Sequence, residues 1–385
     1  MDKETAKIKT RFKGDLVILI LVCLLSFLSI IVVYSTGGNK VLVNHLMHLA
    51  VCYAGLFVFY ILDYKKVVSN FAMLGLFVAG GLLVLTLLSK AVRGVTLFGH
   101  DVQTFYLIGL LVIIFLTNYI GRRYNGGQKE LTNYEMNYCI CVLLGFCAFI
   151  AALNMSTAII LFVTGLVIFF VGNFKMSKLL GLVSFVVVVV GLLALVVLHG
   201  AEDGSSKIGR MGTFVNRLEY YFTKENVNGY GDQMILSRAA IARSGLHPAG
   251  PGKGVIKNRL PENDTDYAYA SLFEELGIVA GLIVLAVYLM IFYRAWKISK
   301  ETKNALGALL SFSIGFWFTC QALVHIGVNC ELLPATGQTL PFISSGGASL
   351  FVSGCAMGLL LSVSRKNVDD NRKADPRSMF IRRED

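Results

Sequence analysis

The stretch Phe185-Val-Val-Val-Val-Val-Gly191-Leu-Leu-Ala-Leu-Val-Val-Leu198 decides the fold. In water such a β-branched apolar run would read as a buried strand. The rest of the chain does not fit water. Of 385 residues, 55% are apolar and 15% charged, and the mean hydropathy is +0.66. Soluble domains carry about a quarter charged residues, so a water-facing surface for this length is not available. That excludes a soluble enzyme, a disordered chain and a secreted disulfide scaffold. In a bilayer only helices and closed barrels satisfy their own backbone groups, and the alternation of a barrel is absent. The valine run is a lipid-facing helix.

Working outward from it, apolar runs bounded by charge or turn signals predict helices near 15–36, 41–62, 67–89, 102–120, 135–153, 156–174, 178–199, 268–293, 305–328 and 346–364. The class is an all-α polytopic membrane protein of about ten spans. With both termini inside, the inner segments hold 23 of the 35 Lys and Arg, and most of the rest sit in one long loop that the positive-inside count exempts. The orientation is N-in and C-in, with the long extracytoplasmic loop between the seventh and eighth helices. The net charge of +11 is therefore mostly a topology signal with some attraction to anionic lipid, not a nucleic-acid footprint.

The domain reading is a basic cytoplasmic segment 1–14, one integral domain 15–364 with the outer loop 200–267, and a basic cytoplasmic tail 365–385. Met1 to Gly14 is charged, and the first apolar run is long enough to span rather than be cleaved. Seven of eight cysteines fall in apolar runs and none forms a CxxC pair, so they read as small buried hydrophobes.

Two outer segments break the pattern. The first, 200–267, is longer than a connection needs and reads as a partly ordered loop over the outer face. The second, Asn329 to Ser345, carries Pro334, Gly337 and Pro341 before Gly346-Gly347, which suggests non-helical backbone at membrane depth. The densest polar cluster is Pro261-Glu262-Asn263-Asp264-Thr265-Asp266, directly before the eighth helix. Acids there can cap the helix. They can equally hold a divalent cation or include a general base of raised pKa. Spacing alone leaves these open. Upstream, the glycines from Gly245 to Gly254 beside Lys253, Lys257 and Arg259 could present amides and cations to a phosphate, or form a plain flexible turn. Glu274 and Glu275 are expensive against lipid and are expected to point into the bundle or to the interface.

Together these segments resemble the SEDS family of membrane glycosyltransferases, named for shape, elongation, division and sporulation. Leu260-Pro-Glu-Asn-Asp-Thr-Asp266-Tyr followed by Glu274-Glu275-Leu276-Gly277 is similar to the family's LPE-x-H-T-D-F…EELG. Pro334-Ala-Thr-Gly337-Gln-Thr-Leu340-Pro341-Phe342-Ile-Ser344-Ser-Gly346-Gly347-Ala-Ser349 is similar to its P-x-T-G-x-x-LPF-x-S-x-GG-x-S. The resemblance covers nearly the whole chain. It implies a bacterial cytoplasmic-membrane enzyme that polymerises lipid II, an undecaprenyl-pyrophosphate-linked disaccharide peptide, at the outer face. It also implies a class B penicillin-binding transpeptidase and other division or elongation proteins as partners. Asp266 matches the family's essential aspartate and would be the general base. Substrate contacts are expected at Lys257, Arg93, Arg217, Gln233, Ser237, Glu262, Ser344, Gly346 and Gly347. A divalent cation, Mg or Mn, is expected at Asp264 and Asp266.

The chain departs from the family pattern in places. Asp264 replaces the histidine before T-D. Gln103-Thr-Phe-Tyr106-Leu-Ile-Gly109 stands for Q-P-S-E-x-x-K, losing its acid and lysine, and Leu153-Asn154-Met-Ser156-Thr157-Ala158 stands for P-D-L-G-T-A. His325 stands where asparagine is usual. The Phe12-Lys-Gly-Asp15 entry resembles division-type members from Bacteroides-like bacteria. A lipid II flippase and a non-catalytic division scaffold are the rival readings. Acids at the outer face rather than midway through helices favour surface chemistry over alternating access.

Overall fold

The computed structural model describes residues 13–89, 95–97, 100–128, 130–202, 217, 220–224, 231–245 and 247–374. Its helices are α1 (Leu16–Ile61), α2 (Tyr64–Leu88), α3 (Thr104–Asn125), α4 (Asn133–Leu153), α5 (Met155–Val171), α6 (Met176–Glu202), α7 (Asp232–Ser244), α8 (Ala268–Glu301), α9 (Ala305–Asn329) and α10 (Gly347–Ala374). Two short strands, β1 (Val95–Leu97) and β2 (His100–Val102), pair antiparallel with Val95 opposite Val102. This ribbon is a small departure from the all-helical expectation, and it delays α3, expected from residue 102, to Thr104.

Polar connector residues start the helices by accepting from first-turn amides that have no intrahelical partner. Asp15 accepts from Val17 and Ile18 at 3.0 and 3.2 Å. Asp63 accepts from Lys65 at 3.0 Å, which starts α2 at Tyr64, earlier than the expected residue 67. Thr132 and Glu135 form a reciprocal capping box on α4. Asn304 caps α9 through the Gly307 amide.

Although α1 runs 46 residues, it is a hairpin of two spans. Gly38 has φ 64° and ψ −163°, a region open essentially to glycine. Cross-bonds prove the reversal: Ser29 Oγ meets His45 Nε2 at 2.5 Å, and Tyr53 donates to Ser26 at 3.0 Å. Among the described residues, seven helices are long and apolar enough to cross a membrane, with α5 and part of α6 as shorter apolar helices. Since α1 supplies two spans, each of the ten apolar runs stands as a helix among the described residues. Phe185, Val187, Val188 and Leu192 on α6 are exposed, as a lipid-facing helix requires.

The bundle has two chemically distinct ends. The entry to α1 and the exit of α10 share one of them, where Lys13 pairs with Asp369 at 3.3 Å and Arg294 Nε donates to Asp15 at 2.9 Å. Ser35, Tyr106, Asn154, Asp266, Asn329 and Ser344 gather at the opposite end through contacts given below. Between the ends, α3, α9 and α10 are the most enclosed helices. On α10, a Cβ added at Gly354 or Gly358 would collide with the backbone carbonyls of Cys52 and Leu56 on α1. Small residues permit such close approach, which matters where lipid supplies no hydrophobic drive between helices.

Candidate functional site

Two segments far apart in sequence meet at the end of the bundle opposite the Lys13–Asp369 and Asp15–Arg294 pairs. Residues 261–267 form a turn before α8, closed by the Thr265 and Tyr267 amides donating to the Glu262 carbonyl at 3.2 and 3.0 Å. Against it lies the irregular stretch before α10. There Ser344 Oγ donates to the Thr265 carbonyl at 2.6 Å and accepts from the Leu340 amide at 2.8 Å. Ser345 donates twice to Asp264, from its amide to the carbonyl at 2.9 Å and from Oγ to Oδ2 at 2.7 Å. The stretch is pinned below by Ser29, which donates to the Ile343 carbonyl at 2.9 Å, and by the Tyr288 hydroxyl bonding to Pro341. Phe342 sits at φ 66°, buried and stacked on Phe318 at 5.9 Å. A bulky residue in that region costs of order 1–3 kcal/mol and persists only where surroundings over-determine it.

Asp266 is 5% exposed, while Glu262 is exposed and Asp264 half-buried at its rim. Its main chain is held from α9. Asn329 Nδ2 donates to the Asp266 carbonyl at 3.2 Å, and Asn329 Oδ1 accepts from the Ala270 amide at 2.9 Å. Ser237 on α7 donates to the Asn329 carbonyl at 2.9 Å. His325 accepts from the Tyr269 amide at 3.4 Å and donates from Nδ1 to the Gln338 carbonyl at 2.7 Å, which fixes its tautomer. One asparagine and one histidine of α9 thus set the first turn of α8.

The glycine-rich stretch before the turn does bind an anion, but an internal one. The Val255 and Ile256 amides donate to Glu274 Oε1 at 2.8 and 2.9 Å, and the Lys257 amide to Oε2 at 2.9 Å. Gly252 donates to Glu275 at 3.2 Å. Lys257 Nζ is ion-paired with Glu275, both side chains 1% exposed, and donates to the Ser35 carbonyl at 2.7 Å. Lys257, expected at a substrate, is held in this structure inside the scaffold, where Glu275 takes up its charge. Exposed Lys253 and Arg259 are the cations this loop presents outward.

The same docking explains a break in α8. Gly277 has φ 79° and ψ −177°, which frees the Glu274 and Glu275 carbonyls to accept from the Ala249 and Gly250 amides, each at 3.0 Å. A Cβ there would also meet Pro248 at 3.3 Å.

The other expected contacts divide. Ser237 and Ser344 are fully buried and bonded to backbone, so they position the site rather than face a ligand. Gly346 and Gly347 are half-buried at the start of α10, with His48 packed where a Gly347 side chain would stand. Gln233 is half-buried on the first turn of α7. Arg217 donates to the Ala335 carbonyl at 3.3 Å. Arg93 lies outside the described residues. Nearby, Glu331 receives Lys224 at 2.9 Å and Arg238 at 3.0 Å. Burial alone would raise its carboxyl pKa, but these bonds and charges hold it below the ordinary value.

Among the described residues, no group of three or more His, Cys, Asp or Glu is arranged to hold a metal. Asp264 and Asp266 offer hard oxygen donors, a set that fits magnesium or manganese completed by water and substrate phosphate rather than zinc.

A polar network missed in sequence lies beside the site. Gln338 Nε2 donates to Thr157 Oγ1 at 2.7 Å and reaches Asn154 Oδ1 at 3.5 Å. Tyr106 Oη donates to Gln338 Oε1 at 3.4 Å and accepts from the Thr339 amide at 2.9 Å. Tyr106 and Asn154 both stand where the SEDS pattern has acids. Their joint contact with Gln338 was the signal available: two departures whose neutral replacements share one partner.

Comparison with known proteins agrees with this arrangement. A family model described as "Cell cycle protein", the FtsW/RodA/SpoVE model, matches residues 11–369. The chain is 31% identical over 283 residues to the "Probable peptidoglycan glycosyltransferase FtsW" of Francisella salina, covering 71% of this chain and 66% of that protein. It is 30% identical over 285 residues to the Escherichia coli protein of the same name, covering 73% and 64%. The chain therefore spans just under two thirds of these relatives. Among solved structures, one titled "Structural coordination of polymerization and crosslinking by a peptidoglycan synthase complex" superposes with a TM-score of 0.72 at 19% identity, over 92% of this chain and 98% of that one. That likeness concerns the fold. With the family model spanning almost its full length and seven span-length apolar helices among the described residues, the chain belongs to the FtsW/RodA/SpoVE family of multi-pass proteins of the bacterial cytoplasmic membrane.

Proposed function

We propose that the protein is a peptidoglycan glycosyltransferase that polymerises lipid II at the outer face of the membrane. The observation that carries this is the joining of the Asp264–Asp266 turn to Ser344 and Ser345 at the end opposite the basic connectors. That junction aligns the two most specific SEDS segments in space, and the relatives named peptidoglycan glycosyltransferase support the reading.

Asp266 takes the proton from an acceptor sugar hydroxyl. The oxygen attacks the donor's anomeric carbon, and the bond to the polyprenyl pyrophosphate breaks with its electron pair leaving on the phosphate. Lys253 and Arg259 are the exposed cations suited to the departing charge. When bound, Mg or Mn at Asp264 and Asp266 would neutralise part of that charge. At 5% exposure Asp266 meets a substrate only after the covering segments move. A class B penicillin-binding transpeptidase is the partner, in keeping with the synthase-complex title of the structural neighbour.

The test is a gel of fluorescent lipid II products from the purified protein with its transpeptidase and a divalent cation. Glycan ladders from wild type and none from Asp266→Asn are expected. Ladders of equal intensity from the variant overturn the role of Asp266, and lipid movement across liposomes without ladders replaces the enzyme with a flippase.

A further inference from the structure

At the basic end, α2 and α3 enclose a cavity of about 390 Å³ that the proposed chemistry does not use. Ser69 and Met73 line it from α2, and Asn118, Tyr119, Arg122 and Arg123 from α3. The spacings place each set on one helix face. Asn118 is 7% exposed, and its Oδ1 is buried without a hydrogen-bond partner. A buried acceptor left unmatched pays the full desolvation penalty of the group, so it calls for a donor from outside the chain.

The walls say what that donor belongs to. Arg122 is exposed and donates from Nε to Ser69 Oγ at 3.0 Å and from Nη2 to the Ser69 carbonyl at 2.5 Å. A guanidinium has five N–H donors, so its Nη1 side is left for another acceptor. Arg123 is balanced by Glu135 at 2.9 Å and lies 5.5 Å over the Tyr119 ring. The pocket thus keeps a net positive charge from Arg122, suited to one anionic phosphodiester. Met73 of the lining is itself exposed, and Phe71, Leu74 and Phe77 of the same helix are exposed and apolar. Such a surface takes acyl chains rather than water.

We propose that this cavity binds a phospholipid of the inner leaflet through a phosphodiester on Arg122 and a headgroup hydrogen-bond donor on Asn118. Phosphatidylethanolamine supplies that donor as an ammonium and phosphatidylglycerol as a hydroxyl. Phosphatidylcholine has the same phosphate and no donor.

The full-length protein, delipidated in detergent, is offered each of the three lipids with identical acyl chains, and the lipid retained is read by native mass spectrometry. Wild type is expected to retain the ethanolamine or the glycerol lipid about tenfold over the choline lipid, the worth of one good buried hydrogen bond. Retention of only one of the two identifies the donor and supports the site. Asn118→Leu is expected to hold all three alike. Arg122→Gln, at an exposed position that tolerates change, is expected to lose all three and decides the matter if Asn118→Leu does not fold. Equal retention of the choline lipid by wild type, a preference surviving in Asn118→Leu, or unchanged binding by Arg122→Gln overturns the proposal.

Discussion

Glu274–Glu275 and Asp264–Asp266 are two pairs of acids a short way apart on one turn and helix, and the fold treats them oppositely. The glutamates are shut in and saturated by backbone amides, Ser35 and Lys257. They act as an internal anion around which the glycine-rich loop wraps. Asp264 sits half-buried on the rim of the turn with Ser345 as its donor, and Asp266 is buried beside it with its main chain gripped by Asn329. The glutamates build architecture through their carboxylates, whereas the aspartate turn is fixed through Ser345 and through its main chain.

The sharpest way to break this contrast is Asp266→Asn, which keeps the shape and removes the proposed base. Loss of polymerisation by a factor of ~10² to 10⁴ is expected on the lipid II gel, with unchanged thermal unfolding. Next, Glu275→Leu strands a buried lysine and is expected to cost about 3–5 kcal/mol, seen as a large fall in melting temperature. The double variant Lys257→Met with Glu275→Leu should regain most of that, because an apolar pair of similar volume tolerates burial. A double variant that folds normally yet polymerises nothing would return Lys257 to the substrate.

Gly277→Ala probes the break that lets the glutamate carbonyls meet the loop. A residue with a Cβ at φ 79°, against Pro248, should lose about 1–3 kcal/mol in the same unfolding scan. Ser345→Ala removes one side-chain bond to Asp264 and should cost about 1 kcal/mol, with a several-fold fall in ladder intensity. The smallest effect belongs to Glu331. Its pKa is lowered in the folded state, so its stabilisation is present above the ordinary 4.5 and is lost as pH falls through the lowered value. With Lys224 and Arg238 themselves exposed, the gain is below ~1 kcal/mol. The melting difference between wild type and Glu331→Gln should appear near neutral pH and vanish well below pH 4.5.

The spans were legible because lipid demands uninterrupted apolar length, which is a local property. The hairpin at Gly38 falls between the first two of those runs. What was hidden depends on contacts between distant residues. Lys257 and its glycine neighbours look alike whether the anion they receive is a substrate or Glu274 and Glu275, and only folding brings Ser35 beside them. Ser237 and Ser344 align with family positions that reach a ligand by implication, yet both are occupied with carbonyls. The ribbon before α3 was too short to leave a pattern.

Asn329 holds Asp266 by its main-chain carbonyl, and that hold is the same for whatever side chain occurs there. Identity and placement are thereby uncoupled at this position: natural drift or deliberate engineering can exchange the functional group while the address stays constant.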